Sequence, residues 1–141
     1  MKSIYIIRHV SGAGSSTLAN QLAILALGNP KLSATICCAD DFMVNDKGEY
    51  DFKAEKLGFV HQKCKEKFLD SIRDDINLII VNNTSTKLGD FKFYLEEGEK
   101  AGYTVFVMVL EKYHVNNNIH NVPDLTLSRQ EVNIKNSLKL R

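Results

Sequence analysis

The chain has 141 residues, 44% of them hydrophobic, enough for one compact domain with a real core and too few for a second. Eighteen basic against seventeen acidic side chains leave a net charge of +1, which excludes a broad electrostatic footprint for nucleic acid or membrane; any polyanion must bind locally. Cys37, Cys38 and Cys64 are odd in number and lack paired C-x-x-C spacing, which argues against a disulfide framework or a zinc site and assigns the thiols to the core.

The opening run Met1–Ile7 is too short for a signal peptide or a membrane span, and Arg8 follows at once. A cytoplasmic protein that does not enter a membrane is expected. Ile4 to Ile7 is β-branched and aromatic and reads as a strand buried on both faces. Ser16 to Leu27 reads as a helix with Leu18, Ala19, Leu22, Ala23, Leu25 and Ala26 on a broad apolar face, stopped at Gly28-Asn29-Pro30.

A second strand is predicted over Ala34 to Ala39, ending at Asp40-Asp41-Phe42, with a polar turn at 45–49. From Lys53 to Arg73, Leu57, Val60, Cys64, Phe68, Leu69 and Ile72 recur at spacings of three and four and mark a long amphipathic helix. Leu78 to Val81 is a third buried strand, followed by Asn82-Asn83-Thr84-Ser85-Thr86 and a helix from Lys87 to Ala101, closed by Gly102. Tyr103 to Leu110 makes a fourth strand. The polar stretch Glu111 to Asn121 precedes Val122-Pro123 and a terminal helix over about Asp124 to Leu138.

Alternating strands and helices predict an α/β fold, a mostly parallel sheet covered by helices in three layers, with a ligand site at the carboxyl ends of the strands. The loops 10–15, 40–43, 82–86 and 111–121 should meet there.

The first of these loops carries a contradiction. A full phosphate loop is G-x-x-x-x-G-K-[ST] between a strand and a helix; here His9 replaces the first Gly and Ser15 replaces the Lys. Gly12 and Gly14 still permit close backbone approach. Ala13, Ser15, Ser16 and Thr17 can offer main-chain amides where a helix dipole favours an anion. The competing reading is a Gly/Ser turn in which Ser15 or Ser16 merely caps the helix.

The segments 9–17, Asp40-Asp41-Phe42, Asn82–Thr86 and Asn117-Asn118-Ile119-His120-Asn121-Val122-Pro123 follow one another in a telling order. The whole chain resembles the polynucleotide-kinase-like branch of small P-loop phosphotransferases, whose typical run is G-x-x-G-x-G-K-S-T, Asp-Asp-Phe or Asp-Asp-Tyr, D-N-T-N-T and R-N-x-H-G-V-P. The resemblance implies a P-loop NTPase-like fold and transfer of the terminal phosphoryl of ATP, or another nucleoside triphosphate with magnesium, to a hydroxyl. It puts Asp40 at the catalytic base, Ser16 at the magnesium ligand, and Gly12 to Thr17 with Arg129 at the phosphates.

Three departures each remove charge. Ser15 stands at the lysine position, Asn82 at the acid that helps hold magnesium, and Asn117 at the lid arginine. Charge-assisted hydrogen bonds contribute about 1.5–3 kcal/mol each, and arginine fingers are worth about 10³–10⁵ in turnover. The leading expectation is therefore a degenerate kinase-like protein that binds a nucleotide, another phosphorylated ligand or a nucleic-acid 5′ end, with weak or absent phosphoryl transfer.

Two alternatives stand beside it. In one, an active ATP-dependent polynucleotide or nucleoside-type kinase recruits Arg8, Lys87, Lys92 or Arg129 in place of the missing cations. In the other, the scaffold binds or inhibits a protein partner through the segment 116–118 or through Phe91-Lys92-Phe93-Tyr94. The Asn, Lys and Ile usage resembles that of small T-even-type phage proteins, which would place the chain in host cytoplasm.

Overall fold

A computed structural model describes residues 1–114 and 121–138. The strands are β1 (Ser3–His9), β2 (Ala34–Cys37), β3 (Leu78–Asn82) and β4 (Thr104–Leu110). The helices are α1 (Ser15–Leu27), α2 (Leu57–Arg73), α3 (Leu88–Lys100) and α4 (Asp124–Ser137). All strand pairings are parallel, in the order β2-β3-β1-β4. Ile7 is level with Asn82 on one side and Met108 on the other.

Strand period explains the layers, because successive side chains leave a sheet on opposite faces. Ile4, Ile6, Ile79 and Val81 join Val60, Cys64 and Phe68 of α2 and Phe91 and Tyr94 of α3 in one core. Ile7 and Ile80, from the same strands, meet Ala19 of α1 on the other face. The three-layer α/β arrangement expected from the alternating pattern is present, and all of its strands are parallel.

Several boundaries differ. The second strand stops at Cys37 and not at Ala39, because the Ala39 N–H donates to Asn83 Oδ1 at 2.9 Å and the chain turns into a 3-10 helix at Ala39–Phe42. The helix expected from Lys53 opens as a 3-10 turn over Ala54–Lys56, and α-helix proper begins at Leu57. Phe91 and Tyr94, offered as contact surface, are buried in the core, and the Cys37 and Cys64 thiols are buried with them. Burial pushes the Cys37 thiol up to about 12. Among the described residues, no helix is long and apolar enough to cross a membrane.

Candidate phosphate site

The site begins where β1 leaves the sheet. Gly12 and Gly14 both lie in the left-handed region, at φ 80° and 86°, a conformation that side chains oppose and glycine accepts. The Ala13 N–H donates to Val10 O at 3.2 Å and closes the turn. Such left-handed steps direct successive N–H groups toward one concavity.

Gly14 itself is the N-cap of α1, so no side chain caps the helix and its first turn holds no acidic residue. The alternative in which Ser15 or Ser16 caps the helix is overturned: both lie inside it. The amides of Ser15, Ser16 and Thr17 therefore begin α1 at its positive end without a competing carboxylate or hydroxyl cap. What the turn offers an anion is backbone amides, since Ser15 carries no charge.

Neighbouring loops fix the frame. The His9 N–H donates to Thr84 O at 3.0 Å, and Arg8 Nε donates to Ser85 O at 2.7 Å while Nη2 donates to Thr86 O at 3.0 Å. From the far end of the chain, Gln130 reaches Ser11: its Oε1 accepts the Ser11 N–H at 2.9 Å and its Nε2 donates to Ser11 Oγ at 3.1 Å. Asn83, through Ala39, holds the Asp40-Asp41 turn against the end of β3.

His9 is only 7% exposed. Its Nδ1 donates to Val10 O at 2.9 Å, which leaves Nε2 as the bare nitrogen of the neutral ring, buried without a partner. Burial depresses the imidazole pKa below its usual value, opposed by the Val10 carbonyl, Asn82 and the charge of Asp40. Asp40 is exposed and lies in the 3-10 turn that follows the carboxyl end of β2. Asn82 Nδ2 approaches Ser16 Oγ at 3.5 Å, and Asn82 Oδ1 is a second buried atom without a partner.

Two features fit a phosphate, the uncapped helix start and the two glycine steps; His9 Nε2 and Asn82 Oδ1 are acceptors and add nothing for an anion. The site does not fit a cation held by protein alone. Ser16 and Asn82 offer neutral oxygens, and among the described residues no group of three or more His, Cys, Asp and Glu side chains could hold a metal. Magnesium here would depend mainly on phosphate oxygens.

Beside the loop, a cleft of about 440 Å³ runs between Gly14, Thr17 and Gln21 on one side and Leu110, Tyr113 and His114 on the other. A Cβ on Gly14 would lie 3.0 Å from His114 Nε2. Tyr113 is 89% exposed at its mouth.

Of the residues expected from sequence, Gly12 to Thr17, Asp40 and Asn82 share the carboxyl edge of the sheet. Arg129 is exposed on α4, one residue from Gln130. Two proposed substitute cations are corrected. Arg8 is buried in the frame rather than facing the site, and Lys92 pairs with Glu96 at 3.5 Å on exposed α3 surface. Asn117, His120 and the rest of 116–120 lie outside the described residues. Sequence reasoning missed Gln130 and Tyr113 and passed over His114, which nothing in local periodicity marks; Asn83 enters it only as part of the segment 82–86.

No family model matches the chain. Solved structures do. A chain of the Pnkp1/Rnl/Hen1 RNA repair complex aligns with TM-score 0.66 and 13% identity over 96% of this chain and 45% of that one. The Mycobacterium tuberculosis APS kinase CysC, as its Cys556Ala mutant, aligns at 0.54 and 14% over 95% and 96%, and in complex with AMPPNP and APS at 0.56 and 14% over 92% and 68%. This chain thus spans less than half of the repair-complex chain. At such identities the likeness shows the fold alone: an α/β scaffold like that of the APS kinase and of the repair-complex chain.

Proposed function

We propose that this protein binds a nucleotide or a nucleic-acid 5′ phosphate at the turn between β1 and α1 and transfers phosphoryl groups weakly or not at all. One observation carries the reading: the turn keeps both left-handed glycines and an uncapped helix start although the charged partners of such a loop are replaced. The bound AMPPNP of the similarly folded APS kinase supports a nucleotide as the class of ligand. Its phosphates would lie on the amides of Gly12 to Thr17, and its base would enter the cleft beside Tyr113.

Asp40 is the remaining candidate base. Exposed at the carboxyl edge of the sheet, it can accept a hydroxyl proton once an acceptor lies within hydrogen-bond reach. With Ser15 at the lysine position and Arg8 committed to the frame, little positive charge is left to stabilise a transferring phosphoryl group.

Calorimetric titration with ATP, GTP, ADP and 5′-phosphorylated oligonucleotides, with and without magnesium, tests the reading. Binding of at least one is expected; binding of none rejects it. Magnesium-dependent turnover abolished in Asp40→Asn would favour the active-kinase alternative. Reversion by Ser15→Lys, Asn82→Asp and Asn117→Arg should tighten binding of the magnesium–nucleotide complex, the lysine and the arginine each restoring a charge-assisted bond of about 1.5–3 kcal/mol.

One observation favours a second reading, a protein-binding module on the same scaffold. β4 is an edge strand without a charged residue, and Phe106, Val107 and Val109 are 46%, 42% and 37% exposed. An open, apolar strand edge is a template for strand addition. A partner captured by the parent and lost with Val107→Lys would support it; capture unaffected by that change would reject it.

A further inference from the structure

We propose that Gln130 is a positioning residue of the phosphate loop, its carboxamide gripping Ser11 from α4 so that the main-chain donors of 11–17 are held ready for an anion. The inference rests on the nucleotide-binding reading above. Gln130 commits both polar ends to one residue: Oε1 takes the Ser11 N–H at 2.9 Å and Nε2 gives to Ser11 Oγ at 3.1 Å. Ser11 immediately precedes Gly12, where the chain enters the left-handed turn.

The grip has a firm base. Gln130, Ile134 and Ser137 are spaced by four and three and so share one face of α4. Ile134 is buried, and Ser137 Oγ takes a hydrogen bond from Arg8 Nη2 at 2.5 Å. Arg8 in turn binds the carbonyls of Ser85 and Thr86. The helix is thus pinned to the sheet two turns beyond the residue that touches the loop. A glycine-rich loop free in solution loses its mobility when a ligand binds; one already fixed does not bear that entropic cost.

The test compares Gln130→Leu, Ser11→Ala and Val60→Ala in the full chain, measuring ADP affinity by calorimetry, amide exchange of 11–17 by NMR, and melting temperature. Gln130→Leu should weaken ADP binding about tenfold and speed exchange in the loop. Ser11→Ala, which keeps the amide bond, should do both less. Val60→Ala, a truncation in the core under α2, should lower the melting temperature while leaving ADP affinity at the parent value.

The proposal is overturned if Gln130→Leu leaves loop exchange and ADP affinity unchanged, or only lowers the melting temperature as Val60→Ala does. If the parent binds neither ADP nor inorganic phosphate while Gln130→Leu still loosens the loop, the nucleotide reading fails and the positioning role stands.

Discussion

The Arg8 guanidinium lies over the Phe91 ring, its central carbon 4.6 Å from the ring centroid. A cation only 4% exposed thereby joins β1 to α3 and, through its hydrogen bonds, to the loop after β3 and to α4. Burial lowers its pKa and the charge of Asp90 raises it, but an arginine remains protonated throughout. Loss of this fork leaves the Ser85 carbonyl without its donor. Arg8→Leu should destabilise the fold by about 2–4 kcal/mol, read as a lower urea midpoint at unchanged slope. Arg8→Lys should recover less than half, because an ammonium cannot lie flat on the ring and span both carbonyls.

Gly98 lets α3 sit close on the sheet. A Cβ there would lie 2.5 Å from Ile4 Cδ1 and 3.1 Å from Val105 Cγ2, and Ile4 is fully buried. Gly98→Ala should cost about 1–3 kcal/mol through overpacking. Adding Ile4→Val removes the colliding methyl group, so the double variant should be more stable than Gly98→Ala alone. Denaturant unfolding of the set of four proteins checks the coupling.

At Gly14 the cost has two sources, a left-handed backbone and the contact with His114. Gly14→Ala should destabilise by about 1–2 kcal/mol and should also reduce affinity for ADP, since relief of the strain reorients the first amides of α1. Gly48, equally left-handed but with open space around it, is the control. Gly48→Ala should lower stability and leave ADP affinity alone, checked by melting and titration together.

His9 gives acid sensitivity with a definite sign. Its folded pKa lies below the usual 6.5 because the ring is buried, so the unfolded chain takes up the proton first. The stability linked to His9 is complete above pH 6.5, falls as the pH drops through the interval down to the depressed folded value, and changes no further below it. His9→Gln should flatten this segment of the profile. Urea midpoints from about pH 7.5 to about pH 5 measure it, and an undiminished slope in the variant would contradict the assignment.

Much of the architecture was written in local pattern. The runs Ile4–Ile7 and Leu78–Val81 are apolar at every position because helices cover both faces of a parallel sheet, and α2 announced itself through the spacing of Val60, Cys64 and Phe68. Gly12 and Gly14 marked the turn, since left-handed backbone selects glycine wherever it occurs. The Asp40, Asn82 and glycine segments follow strand ends, and a parallel sheet brings such ends to one edge.

Other features exist only once the chain is folded. Arg8 looked like a spare cation, yet strand alternation turns it onto the face of Phe91. The helix cap fell on Gly14 instead of a serine, and Gln130 meets Ser11 across a separation of 119 positions. A sequence by itself determines backbone preference and the periodicity of burial, because both are set by neighbours a few residues apart. Which distant amide completes a hydrogen bond, and which charge is drawn inside, depends on how helices dock across the sheet, and only the tertiary structure decides that.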